Sequence, residues 1–190
     1  MDKPRIYVDF NEMIEEDLVL LSKTDLKKDS DGIEILLFEG KKVDIYMDDE
    51  EDGFVDNLIA SGTVERNNSE RFKVCKWNCH IDKNGIMSES DEALNVFNSS
   101  NKDAILKKLL YMTFHFQNYK WLYERCFELA KHKDIEVQKL AIVCIGHIAR
   151  IHQKVDKQKV LAFFETIKYD ENLKAEIENT LEDISIFCKN

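Results

Sequence analysis

The chain has 190 residues, 44% hydrophobic and 34% charged, with 37 acidic and 27 basic side chains and a formal net charge of −10. That length holds one large or two small domains with a real core, and the composition is that of a globular rather than a disordered chain. No run of about eighteen apolar residues is present to cross a membrane, and MDKPRIYVDF lacks the regions of a secretory signal, so a cytosolic protein is expected.

Charge is unevenly divided. Residues 1–95 carry 24 acidic and 12 basic side chains, a net of −12, whereas residues 96–190 carry 13 and 15, a net of +2. Two structural units with different surfaces are expected. The acidic one repels nucleic acid and membrane phosphates and attracts basic partners. The five cysteines (75, 79, 126, 144, 188) are odd in number and irregularly spaced, which is no disulfide framework. Cys126 and Cys144 sit among apolar helical residues and read as reduced core thiols.

The first half reads as short strands. Ile6, Val8 and Phe10 alternate, residues 18–21 form an apolar run, and Val43, Ile45 and Met47 alternate with Asp44, Tyr46 and Asp48. Residues 58–64 form another strand around Gly62, which marks a bulge or a close approach. Residues 72–81 read as one alternating strand, and the asparagines at 67 and 68 are suited to a hairpin turn at positive φ. Five of six glycines fall between 32 and 85, where turns are expected. This spacing predicts a small antiparallel, barrel-like unit over residues 1–87.

Residues 88–101 read as a linker. Beyond them, residues 102–116, 120–131, 134–151, 157–168 and 171–187 each show helical spacing with no proline and one glycine. Ser100 or Asn101 is placed to cap the first of these helices. Asp134 is placed to cap the third by accepting from the backbone N–H of Glu136 or Val137. The small residues Ala141, Gly146 and Ala149 let a neighbouring helix come close. The expected architecture is therefore α+β: an acidic β-rich domain at 1–87, then a bundle of about five helices at 102–190.

The helix at 120–131 is followed by Asp134 and a longer helix, and the helix at 157–168 by Asp170 and another, which is how stacked repeats look. KHKDIEVQKLA resembles the turn of a HEAT-type repeat, in which an aspartate precedes a valine and a basic residue. Gln138 stands where that family usually has arginine, whose ladder with the turn aspartate is then missing. CIGHIARIH, with LEDI at 181–184, resembles a bacterial group of small HEAT-bearing proteins. Some members resemble immunity proteins of interbacterial toxin systems of the contact-dependent growth inhibition type. The likeness covers about a third of the chain. The strand pattern of the first half resembles small SH3-like barrels.

Among candidate sites, the acidic run Asp48, Asp49, Glu50, Glu51 and Asp52, with Asp44 and Asp56 nearby, is the strongest electrostatic feature. As a calcium loop it has oxygens at alternate positions and Gly53 at the sixth, but Ile59 at the twelfth cannot ligate, so no metal is expected. It reads instead as a solvated turn or as a docking patch for a basic protein. Cys75, Cys79 and His80 offer C-x3-C-H without a second ligand pair, which suits a packed strand better than zinc. His147 and Arg150 lie one turn apart; the pair reads first as structural, with the histidine satisfied by a neighbouring helix, and is a secondary candidate for a phosphate or carboxylate. The aromatics Tyr111, Phe114, Phe116, Tyr119, Trp121 and Tyr123 read first as core filling and second as a protein hot spot. No phosphate loop, dinucleotide fingerprint, nucleophile elbow or HExxH motif occurs.

The expectation is a non-catalytic binding protein without cofactor. It is monomeric alone, engages neither nucleic acid nor membrane, and takes as its partner a cognate toxin, expected to be a basic nuclease, or another basic protein. An adaptor that binds a cellular protein or peptide through its helical face is the alternative. A hydrolase with a carboxylate or histidine site is a third reading.

Overall fold

A computed structural model describes residues 5–51 and 53–188. The chain divides into two compact units, Met1–Glu92 and Ala93–Asn190. The first holds eleven strands among its described residues: β1 (Arg5–Tyr7), β2 (Met13–Glu15), β3 (Leu18–Ser22), β4 (Leu26–Lys28), β5 (Glu34–Leu36), β6 (Lys42–Met47), β7 (Glu50–Glu51), β8 (Phe54–Val55), β9 (Leu58–Arg66), β10 (Trp77–Ile81) and β11 (Met87–Ser88), with a 3-10 turn at Phe10–Glu12. Six helices follow: α1 (Glu89–Phe97), α2 (Lys102–His115), α3 (Tyr119–Leu129), α4 (Ile135–His152), α5 (Lys157–Ile167) and α6 (Lys174–Phe187). The class is α+β, as the two periodicities of the sequence predict.

The main sheet has the order β1-β6-β9-β10-β3-β2, with β11 also on β9, and two hairpins, β4-β5 and β7-β8, stand apart from it. It is not a closed barrel. β2 and β1 lie at opposite ends of the order, and the edge of β1 is taken by a loop: Ser30 donates its N–H to the Arg5 carbonyl, and the Arg5 N–H donates to Ser30 Oγ. The sheet is also not purely antiparallel, because β1 pairs parallel to β6 with Ile6 opposite Ile45. The alternation read in the sequence appears as burial: Val43 and Ile45, Val19 and Leu21, and Trp77, Cys79 and Ile81 meet in one core.

Strand 72–81 is shorter than expected. Only residues 77–81 pair, and residues 67–76 form a turn-rich loop. Asn67 does not adopt positive φ. Its side-chain amide instead donates to the carbonyls of Phe72 and Cys75, and its Oδ1 accepts from the Ser69 N–H. These bonds satisfy backbone groups that a ladder would otherwise use. Gly62 marks a close approach, as expected: a Cβ there would stand 2.5 Å from Cys79 Sγ and 2.5 Å from the His80 carbonyl oxygen.

The stretch expected as a linker, residues 88–101, is mostly α1. In the second unit α4 is the central element, packed against α2, α3 and α6. Val137, Ala141, Ile142, Cys144, Ile145, Ile148 and Ala149 on α4 are fully buried. Each large aliphatic among them contributes about 1.5–3 kcal/mol of burial. Phe163 of α5 meets Phe127 of α3 edge-on at 5.1 Å. Gly146 admits α6, since a Cβ there would lie 3.0 Å from Asp183 Oδ2 and 3.4 Å from Thr180 Cα. Two caps follow the sequence: Asn101 Oδ1 accepts from the Ala104 N–H and Asp134 Oδ1 from Glu136. A third was not read there: Asp156 Oδ1 accepts from the Lys159 N–H. The turn before α4 has a stitch of its own: Gln138 Nε2 donates to the His132 carbonyl, and the Asp134 N–H donates to His132 Nδ1.

Candidate functional site

The acidic run follows β6 and leads into the β7-β8 hairpin, where Glu50 pairs with Val55 and Glu51 with Phe54. Asp48, Asp49, Glu50 and Glu51 are all exposed, and none forms an ion pair among the described residues. Asn57 Oδ1 accepts from the Asp49 N–H, and the Asp56 N–H donates to the Asp49 carbonyl, so backbone bonds hold the base of the hairpin while its carboxylates face water. The field is felt nearby: Tyr46 titrates above its ordinary value because of burial, with Asp48 and Tyr7 adding to it. Asp52 lies outside the described residues.

Two neighbours of the run have other work. Asp44 on β6 accepts from Ser61 Oγ at 2.5 Å across the β6-β9 ladder. Asp56 is only 3% exposed, and its Oδ1 accepts from the Ser90 N–H at 3.0 Å in the first turn of α1. A buried carboxylate on a helix N-terminus serves the fold, so Asp56 does not belong to the partner-facing patch in which the sequence placed it.

Cys75, Cys79 and His80 part company. Cys79 is in the core, and burial pushes its thiol up to about 12. Cys75 donates to the carbonyls of Ser22 and Trp77. His80 is exposed, with Nδ1 3.2 Å from Glu65 and Nε2 3.1 Å from Asp17. The aromatic group divides in the same way. Phe116 and Tyr123 are core, whereas Phe114 is exposed and tilted over His147 at 5.3 Å. Tyr119 stacks on His152 at 4.1 Å.

His147 and Arg150 do meet: Arg150 donates to His147 Nδ1 at 2.7 Å. His147 titrates below its ordinary value because of burial, reinforced by Arg150 and opposed by Asp183. Burial also lowers His152. The contact of Phe114 with this pair was not anticipated, although Phe114 belongs to the aromatic run that the sequence singled out.

No family model matches this chain, and no curated protein matches it. Among solved structures it is similar to a chain in the crystal structure of a CDI complex from Cupriavidus taiwanensis LMG 19424. The two are 24% identical with a TM-score of 0.48, over 52% of this chain and 89% of the other.

Proposed function

We propose that this chain is an immunity-type protein that binds a toxin domain and blocks it by occlusion, without catalysis of its own. The observation that carries this reading is the set of four consecutive exposed carboxylates, Asp48, Asp49, Glu50 and Glu51, left unneutralised by any lysine or arginine among the described residues. They stand on a unit whose net charge is −12. Such a surface steers a basic partner and speeds its encounter, while apolar contacts set the final affinity. A nuclease suits this chemistry, because a surface that holds nucleic-acid phosphates is basic. The likeness of residues 144–152 and 181–184 to small HEAT-bearing proteins supports the same reading, with α3-α4 and α5-α6 as HEAT-type hairpins that serve as frame. A cytosolic site of action belongs to the proposal.

The test uses the toxin domain that this reading expects from a neighbouring gene, with its binding followed by surface plasmon resonance. Replacing Asp48 and Asp49 with Asn, and Glu50 and Glu51 with Gln, is expected to lower the on-rate about tenfold at low salt and to flatten its salt dependence. An unchanged on-rate and salt slope removes the run from the interface. Absence of any complex with the wild-type chain overturns the immunity reading itself.

A further inference from the structure

The second unit carries an exposed arginine, Arg150, held by a histidine. The chain has 37 acidic side chains, yet Arg150 pairs with none of them among the described residues and spends a donor on a histidine instead. Guanidinium has no acceptor, so His147 Nδ1 must present its lone pair to Arg150. In the neutral ring the proton then sits on Nε2, for which the described residues offer no acceptor. The neutral form fits the setting, because burial and Arg150 both disfavour a charged ring. Asp183 of α6 acts on the same ring in the opposite sense and forms no ion pair with Arg150 among the described residues. The result is a held guanidinium: His147 Nδ1 pins one N–H of Arg150, the remaining N–H groups form a fork for a ligand, and the ring that pins them is backed by Phe114.

Beside the fork the surface is apolar. Phe114 and Leu110, one turn apart on α2, are 49% and 44% exposed, and Ile151, one turn beyond His147 on α4, is 45% exposed. A preorganised donor fork next to exposed large apolar side chains suits one chemistry: a carboxylate flanked by an apolar side chain. We infer that the α2-α4 face binds an acidic protein segment, with a carboxylate on the Arg150 guanidinium that His147 holds in place and an apolar neighbour against Phe114 and Leu110. Charge selects this occupant over a basic one, because Arg150 is exposed and pairs with no carboxylate among the described residues, Asp183 included. The inference stands apart from the acidic run and holds whether or not that run meets a toxin.

The probe is an N-acetylated peptide of alternating leucine and glutamate, titrated into the full isotope-labelled chain and compared with the leucine–glutamine peptide. The Arg150 side-chain and His147 ring resonances are expected to shift saturably with the glutamate peptide only. Arg150→Gln is expected to weaken binding about tenfold or more. Arg150→Lys restores only part of it, since lysine lacks the planar fork. An unchanged helical circular dichroism spectrum and melting temperature show that the variants fold. The fourfold substitution at 48–51 leaves peptide binding intact, which separates this site from the proposed toxin surface. Equal shifts with the glutamine peptide overturn the inference, as does full binding by Arg150→Gln. Displacement of the glutamate peptide by a short single-stranded oligonucleotide overturns it in favour of a phosphate ligand.

Discussion

Gly62→Ala is a one-carbon change with a large expected cost. Its Cβ would lie 2.5 Å from Cys79 Sγ and 2.5 Å from the His80 carbonyl oxygen, both on β10, the strand hydrogen-bonded to β9. The carbonyl is main chain in the middle of a sheet and cannot turn away. Overpacking of this kind costs about 1–3 kcal/mol, and a rigid backbone neighbour puts Gly62 near the upper end. Alanine recovers about 0.4–1 kcal/mol by restricting the unfolded chain. The net is about 2 kcal/mol, a factor of about 30 in the folding equilibrium. The chain has two tryptophans, so a Trp121→Phe background leaves Trp77, in the core beside Cys79, as reporter of the first unit. Urea unfolding followed by that fluorescence should show a lower midpoint. Adding Cys79→Ala removes the sulfur contact but not the carbonyl one, so a double-mutant cycle should show partial rescue. Gly146→Ala is the control. Its nearest contacts are side-chain atoms at 3.0 and 3.3 Å, and the gain of about 1 kcal/mol for alanine in a helix offsets the crowding. A Gly62→Ala chain as stable as the parent, or a cycle with no coupling, would show that β9 and β10 do not approach as described.

Three further expectations concern stability. Asp134→Ala removes the cap of α4 and should cost the second unit about 1 kcal/mol, seen as a lower midpoint in helical circular dichroism; Asp134→Asn should recover most of it. Asp56→Ala leaves the Ser90 N–H without its acceptor and should destabilise the first unit by about 1–3 kcal/mol, whereas the same change at exposed Glu50 should be nearly silent in the same Trp77 assay. His147 and His152 both titrate lower in the folded chain than the ordinary value of about 6.5, so the unfolded chain binds more protons. Their contribution is fully present above about pH 6.5 and is lost as pH falls through the folded-state values. Urea midpoints measured from pH 7.5 downward should fall below that point, and less steeply in the His147→Asn, His152→Asn double variant. An identical slope in the two chains would refute the assignment.

The helices from α2 onward were legible because apolar residues recur at helical spacing and Asn101 and Asp134 announce two of their starts. α1 was not, because it commits only Ala93 and Phe97 to the core, too few to display a period. β2, β4 and β5 are three residues each, too short to alternate. Phe72 and Val74 imitated a strand, but the local bonds of Asn67 decide that segment, and no pattern of hydrophobicity records a side-chain amide choosing its carbonyls. Of the candidate site, the exposed run at 48–51 and the one-turn spacing of His147 and Arg150 could be read directly. The burial of Asp56 could not, since in sequence it is one more carboxylate among many, and only the arrival of Ser90 from 34 residues away distinguishes it.

The parallel pairing of β1 with β6 has a consequence for how the chain is made. β1 finds its neighbour about 39 residues later, Asp25 meets Trp77 52 residues away, and Arg5 reaches Glu89 across 84 residues. Much of the first unit's stabilisation is therefore postponed until its last residues have left the ribosome, whereas α3 and α4 can pair with their nearest neighbours in sequence. Contacts of long sequence separation form slowly. The half synthesised first is thus expected to finish late, and its surplus of negative charge keeps nascent copies apart while they wait.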